Sequence, residues 1–242
     1  MNSYEDIFKD KQKILIVTAH PDDVDVFFGG TMALLRLDKK EVFVLVMTNG
    51  ARGSRESHIS EEDLAIQRIE EQRRALKQYG VSGNHFNTLN YKDGEAENNM
   101  EIIGNIAYVI RKFKPDIVCT HNPNSYFSKS FTNEYYHVNH KDHRICGIST
   151  LDAVYPFSRD RSFFIEHTRE GLEPHTVKAL FFTANPEQIN TKVDISKVVD
   201  KKKKGLSEHK SQFDKETVER IIKGGVSGKK NIENGFYITL RG

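Results

Sequence analysis

Short runs of β-branched and other apolar residues alternate with longer stretches of helical periodicity along the first half of this chain. KILIVT at 13–18, EVFVLVMT at 41–48 and DIVCT at 116–120 read as strands. Their nearly continuous apolar character suits strands buried on both faces. Between them, residues 30–39, 61–79 and 98–112 carry helical spacing, the second closed by Gly80, a residue type that ends helices in the left-handed conformation. This alternation predicts an α/β fold, a Rossmann-like parallel sheet with helices on both faces.

The rhythm breaks at 122–139, NPNSYFSKSFTNEYYHVN, a segment longer than the usual connection in such a sheet. A helix is expected over 140–154, a strand over 176–183 and helices over 197–212 and 215–223. GFYITL at 235–240 is expected to close a sheet edge as a last strand. No internal repeat, low-complexity tract or linker divides the sequence, so a single domain over 1–242 is expected.

Composition narrows the function classes. No apolar stretch approaches the roughly 18–20 residues of a bilayer span, and the N-terminal residues carry no apolar leader, so a soluble protein with no membrane span is expected. Lys and Arg total 36 against 34 Asp and Glu, a balance that gives nucleic acid no composition-driven attraction. The basic run at 201–204 reads as a solvated helix face. Cys119 and Cys146 both lie in apolar runs, which predicts buried free thiols in a cytoplasmic setting and excludes a CxxC zinc site.

The candidate chemistry lies in two clusters. Ala19-His20-Pro21-Asp22-Asp23-Val24-Asp25 follows the first strand directly, with Gly29-Gly30 shortly after. The carboxyl end of a strand is where open parallel sheets bind ligands. His20 and Asp23 offer an imidazole nitrogen and a carboxylate oxygen, a donor pair suited to zinc, and leave Asp22 free beside the ion. Such an ion lowers the pKa of water toward ~7, and a neighbouring carboxylate can take the proton during attack. A plain turn with a close-packed glycine pair is the competing reading. A dinucleotide site carries little weight, because G-x-G-x-x-G is absent and the carboxylates would repel a pyrophosphate.

The second cluster is His137-Val138-Asn139-His140-Lys141-Asp142-His143-Arg144, where the long segment meets a helix. His140 and His143, three residues apart, share one helix face. Spacing alone does not say which of them completes the metal set with His20 and Asp23. The other would sit on the substrate side, where an imidazolium can stabilise an oxyanion or protonate a leaving amine. Asp142 is placed to orient an imidazole by accepting its outer N–H.

Together these motifs resemble the LmbE/PIG-L family of zinc-dependent N-deacetylases, whose signatures are an A-H-P-D-D turn followed by a glycine pair and, later, H-x-D-H-R opening a helix. Here they stand as Ala19–Asp23 with Gly29-Gly30, and as His140 to Arg144. The resemblance implies His20, Asp23 and His143 as ligands of one Zn²⁺, Asp22 as general base and His140 as electrostatic or acid partner. Weaker similarities cover most of the chain: Thr48-Asn49-Gly50, the helix pattern from Arg68 to Gly80, and Asp93-Gly94. They imply that Arg68 and Asp93 lie near the substrate pocket. Two positions depart from the family pattern: Asp25 stands where relatives often carry Glu, and Ala51 where many carry Glu.

His121 ends the 116–120 strand on the same sheet edge and is a further pocket candidate. Tyr126, Phe127, Phe131, Tyr135 and Tyr136 make the segment before His140 a candidate lid or wall. The expected activity is hydrolysis of the N-acyl group, an N-acetyl group by the resemblance, from a small amino-sugar conjugate. Hydrolysis of another amide or ester, and a non-catalytic metal-binding module, are the alternatives. Relatives often form trimers or hexamers, so a homo-oligomer is a further expectation carried by the resemblance alone.

Overall fold

Each β-branched run of the first half becomes a sheet strand. The computed structural model describes residues 1–54, 58–81, 83–129 and 135–240. Its elements are α1 (Tyr4–Phe8), β1 (Lys13–Thr18), α2 (Asp23–Leu37), β2 (Glu41–Thr48), α3 (Glu61–Tyr79), β3 (Phe86–Tyr91), α4 (Met100–Phe113) and β4 (Ile117–Thr120), then β5 (Phe127–Lys129) and β6 (Tyr136–Val138). They continue with α5 (Lys141–Asp152), α6 (Ile165–Arg169), β7 (Ala179–Thr183), β8 (Thr191–Asp194), α7 (Val199–Leu206), α8 (Lys215–Gly224), β9 (Val226–Ser227) and β10 (Lys230–Thr239).

The main sheet runs in the order β3-β2-β1-β4-β7-β10-β8, with β9 paired to β10. Strands β3 to β7 of that order pair in parallel, while β10 is antiparallel to β7, β8 and β9. Alternation along β1 explains its unbroken apolar sequence. Ile14 and Ile16 enter one core with residues of α2 and α3, whereas Leu15 and Val17 enter the other with Ile102, Ile106 and Ile110 of α4. Burying both faces in this way is what a sheet covered on both sides requires.

Local signals set the helix ends. Ser60 accepts from Asp63 N–H at the start of α3, and Gly80 at φ 79° ends that helix. Asn99 caps α4 in the same way. The glycine pair serves packing: a Cβ on Gly30 would stand 2.5 Å from Ile195, and one on Gly29 would stand 2.9 Å from the Tyr79 hydroxyl.

Several sequence expectations need correction. Helix α2 begins at Asp23, seven residues before the expected start at 30, because Asp22 turns the chain and acidic Asp23 and Asp25 suit the positive end of the helix dipole. The 235–240 strand is not an edge, since β10 lies between β7 and β8. The edges are β8 and β3, whose polar sequences TKVD and FNTLNY carry little apolar pattern. Lys202, in the basic run, is buried and pairs with Glu233 at 2.6 Å, because α7 packs along α2. Glu233 also accepts from Gly30 N, Thr31 N and the Thr31 hydroxyl, tying β10 to α2.

Cys119 and Cys146 are free and buried. Among the described residues, no helix is long and apolar enough to cross a membrane.

Candidate metal centre

The sheet order reverses between β1 and β4: the chain runs from β1 outward to β3 and returns on the far side of β1. A crevice opens at the carboxyl ends of such a strand pair. His20 leaves β1 there, His121 leaves β4 and α5 begins above them.

His20, Asp23 and His143 offer ligand atoms that all lie within 4.8 Å of one another. His143 Nε2 is 3.2 Å from Asp23 Oδ1, and His20 Nδ1 is 3.3 Å from Asp23 Oδ2. The first turn of α2 holds the carboxylate, with Asp23 Oδ2 accepting the His20 N–H at 2.8 Å. A second group, His20, Asp93, His140 and Asp142, meets the first through His20.

A hydrogen bond fixes the face of His143, and two carboxylates flank the outer nitrogen of His20. Asn139 donates through Nδ2 to Ser125 O, so its amide oxygen faces His143 Nδ1 at 2.9 Å. That arrangement puts the His143 proton on Nδ1 and turns the Nε2 lone pair toward Asp23. On His20, Nε2 lies 3.3 Å from Asp93 Oδ1 and 3.4 Å from Asp142 Oδ2. Asp142 is fully buried and also accepts the Gly94 N–H at 2.7 Å. Asp93 and Asp142 therefore stand beside the outer nitrogen of His20, on the side where outer carboxylates orient metal-bound histidines, and Nδ1 faces Asp23.

The charge balance calls for a cation. Asp22, Asp23, Asp93 and Asp142 are all buried around the centre, and among the described residues Arg68 is the one arginine or lysine side chain ion-paired with their carboxylates. Burial opposes a charged His20, yet the neighbouring carboxylates of Asp142, Asp23 and Asp93, as acceptors, outweigh it and raise the imidazole pKa well above its ordinary value. Asp23 behaves in reverse: burial works against its ionisation, while His143 and His121 hold it well below the usual carboxylate range. Two imidazole nitrogens and a carboxylate with surplus negative charge around them fit a divalent ion of the zinc type.

Asp22 stands apart from this set. It has φ 113°, a backbone conformation that is costly for a residue with a Cβ, and its N–H is held by Gln72 Oε1 at 2.9 Å. Arg68 Nη2 donates to its carboxylate at 3.0 Å. Burial raises the Asp22 pKa, and the Arg68 charge partly offsets this.

His140 is the N-cap of α5, its Nδ1 accepting the Asp142 N–H at 3.2 Å. The ring is about half exposed and stacks edge-on against His20 at 4.6 Å between centroids. Burial and the charge of His20 lower its pKa. The imidazolium expected from the sequence is therefore disfavoured. With Nδ1 accepting the Asp142 N–H, the ring's remaining donor position is Nε2.

The remaining candidates are committed to the protein itself. Arg68 is buried and its guanidinium binds Gly50 O, Pro21 O and Asp22. Asp93 accepts the Arg52 N–H; burial works upward on its pKa, but His20 leads the groups that hold it at about 2. His121 is buried, stacks on His143 at 4.2 Å and approaches Asp23 Oδ2 at 3.2 Å, with burial first among the causes that bring its pKa to about 4. All three support the centre and do not stand open toward solvent. In the 122–139 segment, β5 and β6 form a hairpin beside the centre, with Tyr126, Phe127, Tyr135 and Tyr136 exposed. Phe131 lies outside the described residues.

Sequence reasoning missed Gln72, Asn139 and His209. Gln72 follows Arg68 by four residues and Asn139 precedes His143 by four, spacings that place each pair on one side of the helix or its cap. Gln72 Nε2 donates to Asp25 Oδ2 at 2.9 Å, and His209 Nε2 faces the same oxygen at 2.9 Å. No signal near His209 announces that contact.

The family model PIG-L, described as GlcNAc-PI de-N-acetylase, matches residues 15–154. Diacetylchitobiose deacetylase of Thermococcus kodakarensis is 32% identical over 208 residues, covering 85% of this chain and 72% of that protein. The 1D-myo-inositol 2-acetamido-2-deoxy-alpha-D-glucopyranoside deacetylase of Rhodococcus erythropolis is 25% identical over 83% of this chain and 81% of its own length. In structure, N,N'-diacetylchitobiose deacetylase from Pyrococcus horikoshii, solved with its inhibitor MPG, superposes with a TM-score of 0.83 at 26% identity, covering 96% of this chain and 85% of that one.

Proposed function

The chain belongs to the PIG-L family, and on that premise we propose that it is a metal-dependent N-deacetylase that removes the acetyl group from a small amino-sugar conjugate, residues 1–242 serving as one domain. The observation that carries this reading is the convergence of His20, Asp23 and His143 within 4.8 Å, with Asp22 beside them on Arg68.

His20 Nδ1, His143 Nε2 and Asp23 would hold the ion, and the mixed nitrogen and oxygen donors favour zinc. When bound, such an ion polarises the acyl carbonyl and makes water more acidic. Asp22 takes a proton from the water that attacks the acyl carbon. Arg68 fixes the direction of that carboxylate. His140 donates its Nε2–H to the oxygen that gains negative charge, because its Nδ1 is already occupied by the Asp142 N–H. Asp22 then returns its proton to the nitrogen as the C–N bond breaks, giving acetate and a free amine. Buried free thiols at Cys119 and Cys146 support a cytoplasmic, reducing setting.

The test is hydrolysis of N-acetylglucosamine and its conjugates by zinc-loaded protein. Acetate and primary amine should appear in equal amounts. No release from any of these substrates contradicts the reading.

A further inference from the structure

Arg68 holds the carboxylate of Asp22 and Gln72 holds its backbone N–H, and the second hold depends on which way the amide of Gln72 points. A primary amide accepts at its oxygen and donates at its nitrogen. Turned by 180°, Gln72 would set its NH₂ against the Asp22 N–H, donor against donor. The group that selects the other orientation is Asp25, whose Oδ2 takes the Gln72 Nε2–H at 2.9 Å. A carboxylate oxygen only accepts, so Oε1 is left for Asp22.

Asp25 lies in the first turn of α2, fully buried, and among the described residues no lysine or arginine pairs with it. A buried carboxylate is costly without a donor of its own. That donor is His209, whose Nε2 lies 2.9 Å from the same Oδ2. Facing a carboxylate, Nε2 carries a proton, while Nδ1 has no hydrogen-bond partner among the described residues. The ring is fully buried in the turn after α7, and α7 packs against both α2 and α3. Two residues on, Ser211 fastens the same turn to α3: its N–H and hydroxyl bind the Glu71 carboxylate at 3.0 and 2.6 Å, one position before Gln72. All of this lies beyond residue 154, where the match to the PIG-L model ends.

The bonds form one line, His209 to Asp25 to Gln72 to the Asp22 N–H, and end on a residue at φ 113°, a conformation that neighbours must impose. From this we infer that His209 is a positioning residue for the reaction: through Asp25 and Gln72 it fixes the backbone of Asp22 and hence the direction of the base. It has no hydrogen bond of its own to Asp22, His20, Asp23 or His143 among the described residues. The inference rests on the reading of Asp22 as the base of a deacetylase.

The experiment compares His209→Gln with His209→Asn in zinc-loaded protein. Glutamine carries its NH₂ where the imidazole carries Nε2, whereas asparagine stops at the level of Nδ1 and leaves Asp25 unmet. Gln72→Leu and the double variant Gln72→Leu/His209→Asn are measured beside them. Each is read by kcat, KM, zinc content and, by NMR, amide hydrogen exchange at Asp22. His209→Asn should lower kcat about 10- to 100-fold, the scale of a misplaced catalytic group, with KM and zinc near native and faster exchange at Asp22. His209→Gln should keep near-native kcat and exchange. The double variant should be no slower than Gln72→Leu alone, because the line is already cut. Asp25→Leu/His209→Leu removes both polar partners and strands no buried charge, so it carries the prediction for His209→Asn should that variant not fold.

Native kcat and native exchange in His209→Asn would overturn the inference, as would a loss in His209→Gln equal to that in His209→Asn. Losses that multiply in the double variant, or zinc lost together with kcat, would overturn it as well, by showing that His209 acts along another route. Absence of turnover by the native protein on N-acetylglucosamine and its conjugates would instead overturn the deacetylase reading, and the role of His209 with it.

Discussion

Gln72 holds Asp22 from behind: its Oε1 accepts the Asp22 N–H at 2.9 Å while its Nε2 donates to Asp25 Oδ2 at 2.9 Å. Asp22 has φ 113°, so its conformation persists only because neighbours impose it. Gln72→Leu removes the acceptor without removing the base. Misplacement of a catalytic group by an ångström can cost on the order of 100-fold, so kcat should fall by roughly that much while KM and bound zinc stay near native. A loss confined to KM would show that Gln72 serves substrate binding instead.

Arg68 and Asp22 make a pH prediction whose sign follows from charge. The guanidinium favours the ionised carboxylate, against the upward pull of burial. Removing it in Arg68→Met moves the Asp22 pKa up. Since only ionised Asp22 accepts a proton, the acid limb of kcat/KM should shift to higher pH. A limb that stays in place or moves down would dissociate Arg68 from the base.

His140 and His143 should separate by metal content. His143→Ala loses a donor at 3.2 Å from Asp23 and should lose zinc on dialysis, with partial recovery at high added zinc. His140→Ala should keep its zinc and lose roughly 3–4 kcal/mol of transition-state stabilisation, seen mainly in kcat. Paired zinc analysis and kinetics check both. Zinc loss in His140→Ala with retention in His143→Ala would exchange the two assignments.

Gly205 is a packing prediction for the network behind the base. A Cβ there would stand 2.1 Å from the Tyr79 hydroxyl and 2.6 Å from Asp25 Oδ1. Gly205→Ala should cost about 1–3 kcal/mol in urea unfolding, the usual range for overpacking. An unchanged midpoint would mean that α7 can retreat from α3 at no cost.

The parallel half of the sheet was legible because β1, β2 and β4 are buried on both faces and carry unbroken apolar runs. The edges β3 and β8 were not, because strands with one solvated side and only a few residues lose that pattern. The convergence of His20, Asp23 and His143 was legible because they sit at a strand end and a helix start, where local motif and fold coincide. The supporting shell depends on contacts distant in sequence. His209 meets Asp25 across 184 residues and Asp142 meets Gly94 across 48, separations with no local periodicity to reveal them. Lys202 shows the reverse error: a run of lysines reads as solvated until Glu233 is brought beneath it.

The central claim is that Asp22 is the base beside a metal that it does not itself hold. Asp22→Asn keeps the shape of the side chain, removes its basicity and leaves His20, Asp23 and His143 untouched. Acetate release from N,N'-diacetylchitobiose, measured on protein whose zinc content is determined in the same preparation, tests the claim most directly. The account predicts native zinc and a kcat lowered about 100- to 10,000-fold, the usual cost of losing a general base. Native zinc with native kcat would contradict it.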